Sequence, residues 1–220
     1  MILYSNGTQL DFFDKFPSNL QKIGIYLSGG TDSALILYIL VKMLQERQDC
    51  HVQIYPVAGY DASNPDVIAW DVCERIINWI KDNTKFEGIQ PLLVTPFIDE
   101  TETKISMFRA NRKYLKHRYN IDVVIDGISL GMPHSSRDGR DIDIWTTDEK
   151  IKTLYNDYPH EYPWSTVDKK FIADQYKKFN IEELSNITNS CVASSKTPCK
   201  KCWWCRERYW AFGSYDGGLQ

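Results

Sequence analysis

Strands alternating with helices between residues 23 and 125, a glycine-rich turn at the end of the first of those strands, and four cysteines crowded near the C-terminus predict an α/β protein. The expected architecture is a doubly wound, mostly parallel sheet followed by a C-terminal metal-binding helical segment.

The elements follow in order. Ile23 to Leu27 is a short apolar run that ends in Ser28-Gly29-Gly30-Thr31-Asp32-Ser33, and Ala34 to Leu44 has the Leu, Ile, Val and Met spacing of a buried helix. Val52 to Val57 reads as a strand, and Asp66 to Ile80 as a helix with Val67, Trp70, Ile76 and Ile77 on its inner face. A strand at Leu92 to Val94, a helix over Thr101 to Arg118 and a strand at Ile121 to Ile125 complete the alternation. Such alternation implies parallel pairing through right-handed crossovers, with helices on both faces. Ligands of such sheets bind beyond the carboxyl ends of the strands, where the glycine-rich turn lies.

From Gly131 to Pro163 the pattern is lost, and a long active-site loop or lid with a short helix near Asp148 to Tyr155 is expected. Asp168 to Phe179 and Ile181 to Ile187 read as helices leading into the cysteine segment. The expected division is an ATP-binding α/β core over 1–130, then a substrate loop, helices and cysteine segment over 131–220.

Composition narrows the class. The 220 residues carry 26 basic and 29 acidic side chains with 43% apolar residues, enough for a sizeable core and outside the disordered regime. No run of eighteen apolar residues occurs, and Met1-Ile2-Leu3-Tyr4-Ser5 lacks the basic and apolar regions of a signal peptide. A cytoplasmic protein without membrane contact is expected. The slight acidity argues against broad electrostatic capture of nucleic acid, which is not expected as a direct substrate.

In the turn, successive glycines permit φ > 0 and close backbone approach, so amide N–H groups can form an anion nest at the positive end of the next helix. Ser28 and Ser33 add hydroxyl donors. Asp32 is informative, because a carboxylate in a phosphate cradle repels the anion unless a cation intervenes; Mg2+ carried by ATP is the natural mediator. The turn lacks the Gly-Lys-Ser/Thr of a Walker A loop and is not the dinucleotide fingerprint. The alternative reading is a tight strand-to-helix turn with an N-capping Asp or Ser.

Cys191, Cys199, Cys202 and Cys205 fall within fifteen residues in a C-x7-C-x2-C-x2-C pattern. The spacing suits a tetrahedral zinc site with a structural role, and Lys200, Lys201 and Arg206 would offset its negative charge. An iron–sulfur cluster, free thiols or disulfides are the alternatives. Cys50 and Cys73 read as ordinary buried thiols.

Ser28 to Ser33 resembles the SGGxDS signature of the PP-loop, N-type ATP pyrophosphatases, which cleave ATP between its α and β phosphates to adenylate a substrate. Taken with Ser190-Cys191, Pro198-Cys199-Lys200-Lys201-Cys202-Trp203-Trp204-Cys205-Arg206-Glu207-Arg208 and Ala211-Phe212, it resembles the 7-cyano-7-deazaguanine synthase family. That resemblance implies an adenine nucleotide alpha hydrolase-like fold and the ATP-dependent conversion of 7-carboxy-7-deazaguanine with ammonia to the nitrile, or to the amide if the reaction stops early. It implies pyrophosphate binding by Ser28, Gly29, Gly30, Thr31, Asp32 and Ser33, and a catalytic pair of Asp32 with a phosphate-contacting Lys169. It also implies substrate contacts from Asp138, Arg140 and Arg109, structural zinc on the four cysteines, and a homodimer. Without the resemblance, Lys169 reads as a solvated lysine at a helix start. Trp145 and Trp164 are open to stacking a deazapurine.

The chain departs from the family at Gly59-Tyr60-Asp61-Ala62 and at Met132-Pro133-His134, where substrate contacts are expected. Two rival readings are another PP-loop enzyme, such as a tRNA thiolation enzyme, and a non-catalytic zinc protein that binds nucleotide or nucleic acid.

Overall fold

The chain opens with a hairpin of β1 (Ile2–Ser5) and β2 (Thr8–Asp11), paired antiparallel across Asn6-Gly7. Both turn residues have positive φ, 47° and 78°, the backbone that a two-residue Asn-Gly turn supplies. The computed structural model describes residues 1–12, 19–49, 51–61, 70–97, 114–127, 129–132, 160–192 and 197–216.

The strand leading into the glycine-rich turn, β3 (Lys22–Tyr26), pairs in parallel with β4 (Gln53–Asp61). Beyond β4 lies β5 (Leu93–Phe97), and on the other side of β3 lie β6 (Val123–Ile125) and β7 (His160–Glu161). The order β5-β4-β3-β6-β7 is parallel throughout and reverses direction between β3 and β6. Period-two alternation separates the two faces. Ile23, Ile25, Ile54, Ala58, Val123 and Ile125 join the larger core, while Tyr26, Tyr55, Val57 and Val124 form a second cluster with Leu115 and Ile121.

The larger core is built around α1 (Thr31–Glu46), in which 12 of 16 residues are buried, as expected of a helix apolar around most of its circumference. Beside it, α2 (Trp70–Thr84) buries one face through Val72, Cys73, Ile76, Ile77 and Ile80. Residues 114–119 are helical and carry Leu115 onto the second face. Three helices follow: α3 (Lys169–Lys178), capped by the Asp168 carboxylate on the Phe171 N–H at 2.9 Å, α4 (Glu182–Ile187) and α5 (Trp203–Phe212). Gly213 ends α5 in the left-handed region at φ 71°. α3 packs on both α1 and α5. Among the described residues no helix is long and apolar enough to cross a membrane.

The chain is thus α/β with a parallel sheet. Much of the helix expected over Thr101 to Arg118, which would carry most of the second helical layer, lies outside the described residues, as does the short helix expected near Asp148 to Tyr155. The hairpin and β7 are additions to the elements read from the sequence.

Candidate functional site

β3 delivers Ser28 to Ser33 at its carboxyl end, beside the reversal of strand order. Gly29 takes φ +80°, and Gly30 begins α1 without a side-chain cap. The serines organise the turn: Ser28 N–H donates to Ser33 Oγ at 3.1 Å, Gly30 N–H donates to Ser28 Oγ at 3.3 Å, and the two hydroxyls lie 3.1 Å apart. Ser33 Oγ–H donates to the Gly30 carbonyl at 3.3 Å. Neighbours hold the outside of the turn. Asn189 N–H donates to the Gly29 carbonyl at 2.8 Å, the Tyr176 hydroxyl to the Thr31 carbonyl at 2.8 Å, and the Trp164 indole N–H to the Asp32 carbonyl at 3.1 Å. The next loop, after β6, presses on the same place, since a Cβ on Gly127 would meet Ser33 N at 3.0 Å and Asp32 Cβ at 3.2 Å. The first N–H groups of α1 therefore emerge at a rigid, glycine-lined end suited to an anion.

Asp32 does not stand alone. Lys169 Nζ, only 5% exposed, donates to both carboxylate oxygens at 2.6 Å. Ser129 Oγ adds a 3.2 Å bond to Asp32 Oδ2, and Thr31 Oγ1 a 3.4 Å contact to Oδ1. Buried Glu207 of α5 approaches the same ammonium, with Oε2 3.6 Å from Lys169 Nζ. Burial works against the Lys169 ammonium, but the carboxylates of Asp32 and Glu207 outweigh it and hold its pKa above the ordinary lysine value. Burial pushes the Glu207 carboxyl up, with Lys169 opposing. The cation beside the carboxylate of the turn is therefore a lysine of this chain.

Four sulfurs gather behind this group. Cys191, Cys199, Cys202 and Cys205 bring their Sγ atoms within 4.8 Å of one another. Backbone N–H groups support them: Cys199 N–H points at Cys191 Sγ and Cys202 N–H at Cys199 Sγ, both at 3.3 Å. The N–H groups of Lys201 and Cys202 lower the Cys199 thiol to about 6, while burial raises those of Cys202 and Cys205. A thiol-rich set this close could hold a metal ion. The segment is anchored by Arg208, 1% exposed, which donates to Thr188 Oγ1 at 3.2 Å and to the Ser185 carbonyl at 2.9 Å. Asp216 lies 3.8 Å from Arg208 Nε and accepts from Ser190 N–H at 2.6 Å.

No family model matches the sequence, and no curated protein matches it. Solved structures do share the fold. A U34-tRNA thiolase from Methanococcus maripaludis, solved with its 4Fe-4S cluster, superposes at TM-score 0.52 and 12% identity over 77% of this chain and 60% of its own. A 4-thiouridine synthetase, solved as an RNA complex with bound ATP, superposes at TM-score 0.51 and 17% identity over 91% of this chain and 47% of its own. The chain spans about three-fifths and about half the length of these two proteins.

Within this shared fold, the residues singled out in the sequence fall into two sets. Ser28 to Ser33, Lys169 and the four cysteines lie in one region, with Glu207 as the link. Arg109, Asp138 and Arg140 lie outside the described residues, as do Cys50, His134 and Trp145. Two of the simpler readings are corrected. Lys169 is buried rather than solvated, because two carboxylates meet its ammonium. Trp164 is 0% exposed, packed 5.0 Å from the Phe12 ring and bonded to the turn, so it cannot stack a ligand base. Cys73 is a buried thiol, donating to the Leu27 carbonyl at 3.1 Å, and burial raises its pKa. Sequence reasoning missed Glu207, Ser129, Tyr176 and Asp216 as supports of the site. The only sequence signal for Glu207 was its place two residues beyond Cys205.

Proposed function

We propose that the protein is an ATP-dependent carbon–nitrogen ligase of the 7-cyano-7-deazaguanine synthase type, acting on 7-carboxy-7-deazaguanine and ammonia. The observation that carries this reading is the serine- and glycine-built turn at the carboxyl end of the central strand, with Lys169 buried against Asp32 and the four-cysteine module fastened behind it. The bound ATP of the fold-sharing 4-thiouridine synthetase supports nucleotide use.

In this reading the substrate carboxylate oxygen attacks the α-phosphorus of ATP, the α–β phosphoanhydride bond breaks, and pyrophosphate leaves with the electron pair. Ammonia then attacks the acyl carbon and expels AMP, giving the amide. A second adenylation, on the amide oxygen, followed by loss of AMP with that oxygen and of both amide protons gives the nitrile; a chain that stops after the first round yields the amide. Ser28, Gly29, Gly30, Thr31 and Ser33 hold the pyrophosphate oxygens with backbone and hydroxyl donors, supplying positioning and charge stabilisation. Asp32 and Lys169 set the charge at the floor of the turn, and Mg2+ arrives with ATP. Arg109, Asp138 and Arg140 hold the substrate. The reaction belongs in the cytoplasm, where thiols stay reduced, in a homodimer.

The cysteines would hold zinc in a structural role. A single ion about 2.3 Å from each sulfur places tetrahedral sulfurs about 3.8 Å apart, and separations within 4.8 Å suit that scale. A cubane cluster, where each cysteine binds a different iron, spreads its sulfurs further. A second reading, tRNA thiolation, is suggested by the two fold-sharing structures, one a U34-tRNA thiolase and the other a 4-thiouridine synthetase solved with RNA.

Pyrophosphate release from ATP, measured with and without 7-carboxy-7-deazaguanine and ammonia and read beside product mass, tests the proposal. Substrate-dependent release with a nitrile or amide mass supports it. Release that depends on tRNA and adds sulfur to it selects the second reading, and no release with any carboxylate overturns the ligase.

A further inference from the structure

Glu207 belongs to both halves of the site. It lies on α5, the helix that starts directly after Cys202 and carries Cys205, and its carboxylate reaches the ammonium that holds Asp32. Cys205, Glu207 and Arg208 are all buried on that helix. The path from sulfur to turn runs through few soft elements: Cys205 and Glu207 on one helix, a 3.6 Å ion pair, a 2.6 Å ion pair, then the first turn of α1. Arg208 fixes the same helix to α4 and the following residue through Ser185 and Thr188, so the helix cannot shift without moving Glu207.

We propose that Glu207 is a positioning residue through which occupancy of the four-cysteine site sets the geometry of the phosphate-binding turn. A metal ion tying Cys202 and Cys205 to Cys191 and Cys199 fixes the start of α5. That helix in turn fixes Glu207, and Glu207 holds Lys169 where it meets Asp32. The inference rests on the reading of the turn as an ATP site and of the cysteines as a metal site, and adds the connection between them. Coupling of this kind is reciprocal: if the metal favours ATP, ATP favours the metal by the same factor.

Reciprocity permits a test on the loaded protein. Zinc-loaded chain is mixed with a chromogenic chelator, and the rate and extent of metal loss are followed with and without saturating ATP. ATP affinity is measured separately by calorimetry. For the wild type, ATP is expected to lower the equilibrium metal loss about tenfold, within the usual range of coupling between sites. E207Q, which keeps size and packing, is expected to reduce this protection to less than twofold while still binding both ligands, and E207D to restore part of it. A purely structural role for Glu207 would change metal retention equally with and without ATP. Equal protection by ATP in wild type and E207Q overturns the inference, as does binding of ATP with no protection in the wild type. A chain that binds no ATP overturns both this inference and the ligase reading, whereas ATP binding without pyrophosphate release overturns only the latter.

Discussion

Lys169→Met is the most informative single change to the fold. The ammonium it removes is almost fully buried and lies 2.6 Å from both oxygens of Asp32 and 3.6 Å from Glu207. Methionine fills much the same volume, so packing is largely retained, while buried Glu207 and partly buried Asp32 lose their cation. Breaking a buried pair in this way costs about 3–5 kcal/mol, or a fall in Tm of roughly 6–20 °C for a chain of this size. Asp32→Asn makes a useful contrast. The amide oxygen still accepts from Lys169, and Glu207 still balances its charge, so the expected loss is about 1.5–3 kcal/mol, the worth of hydrogen bonds to a charged group. The pH dependence separates lost charge from lost packing. In Lys169→Met, burial holds the folded-state pKa of Glu207 further above its unfolded value, as it already does against the opposing lysine in the wild type. Stability from such a group is complete below the unfolded pKa and is lost as pH rises through the folded one, so the deficit against wild type grows as pH rises above the ordinary carboxylate range. Urea denaturation followed by tryptophan fluorescence at several pH values measures it. A deficit below about 1 kcal/mol, typical of an exposed pair, or one that does not change with pH, would refute the buried-pair account.

Trp164→Phe keeps much of the ring volume but removes the indole N–H from the Asp32 carbonyl; a loss of about 1–2 kcal/mol is expected in the same denaturation assay. Gly127→Ala places a Cβ 3.0 Å from Ser33 N, and displacement of the first turn of α1 should cost about 1–3 kcal/mol and weaken ATP binding in calorimetry. Cys205→Ser, at a buried member of the four-sulfur group, should abolish stoichiometric metal in elemental analysis, while Cys73→Ser should leave it unchanged.

The parts of the fold that could be read from the sequence are those specified locally. Ile23 to Leu27, the glycine turn and the apolar helix after it are each signalled within a few residues, and all three stand in the structure where the pattern put them. The Asn6-Gly7 hairpin carries an equally local signal. By contrast β7 is two residues long, and its existence depends on pairing Val124 and Ile125 with residues 160 and 161, which no short window contains. The same distinction applies to the site. The turn and the cysteines are motifs, but the burial of Lys169 depends on Asp32, 137 positions away, and on Glu207 from the other end of the chain. A lysine in the first turn of a helix looks solvated until the carboxylates that bury it are known. Trp164 has the converse problem, since an aromatic residue beside a loop has no sequence mark to distinguish a ligand platform from a support under the turn.

If the turn is the ATP site proposed above, its charge balance bears on how a triphosphate would enter. Among the described residues, Lys169 is the cation that faces both Asp32 and Glu207, while Arg208 is matched by Asp216. With both carboxylates ionised, these described residues carry one unit of negative charge beside the turn. Backbone donors at the start of α1 supply only about half a positive charge, too little to offset both that excess and the charge of ATP. On the proposed ATP reading, the magnesium expected from Asp32 in the sequence is therefore still called for, although Lys169 already occupies the position next to that carboxylate. Calorimetric titration with ATP should show binding weakened at least tenfold when EDTA replaces Mg2+ after the cysteine site has been confirmed intact by elemental analysis. Equal affinity in the two conditions would mean that Lys169 swings from Asp32 to the phosphates, which would make the 2.6 Å pair a resting state rather than a fixed part of the nucleotide site.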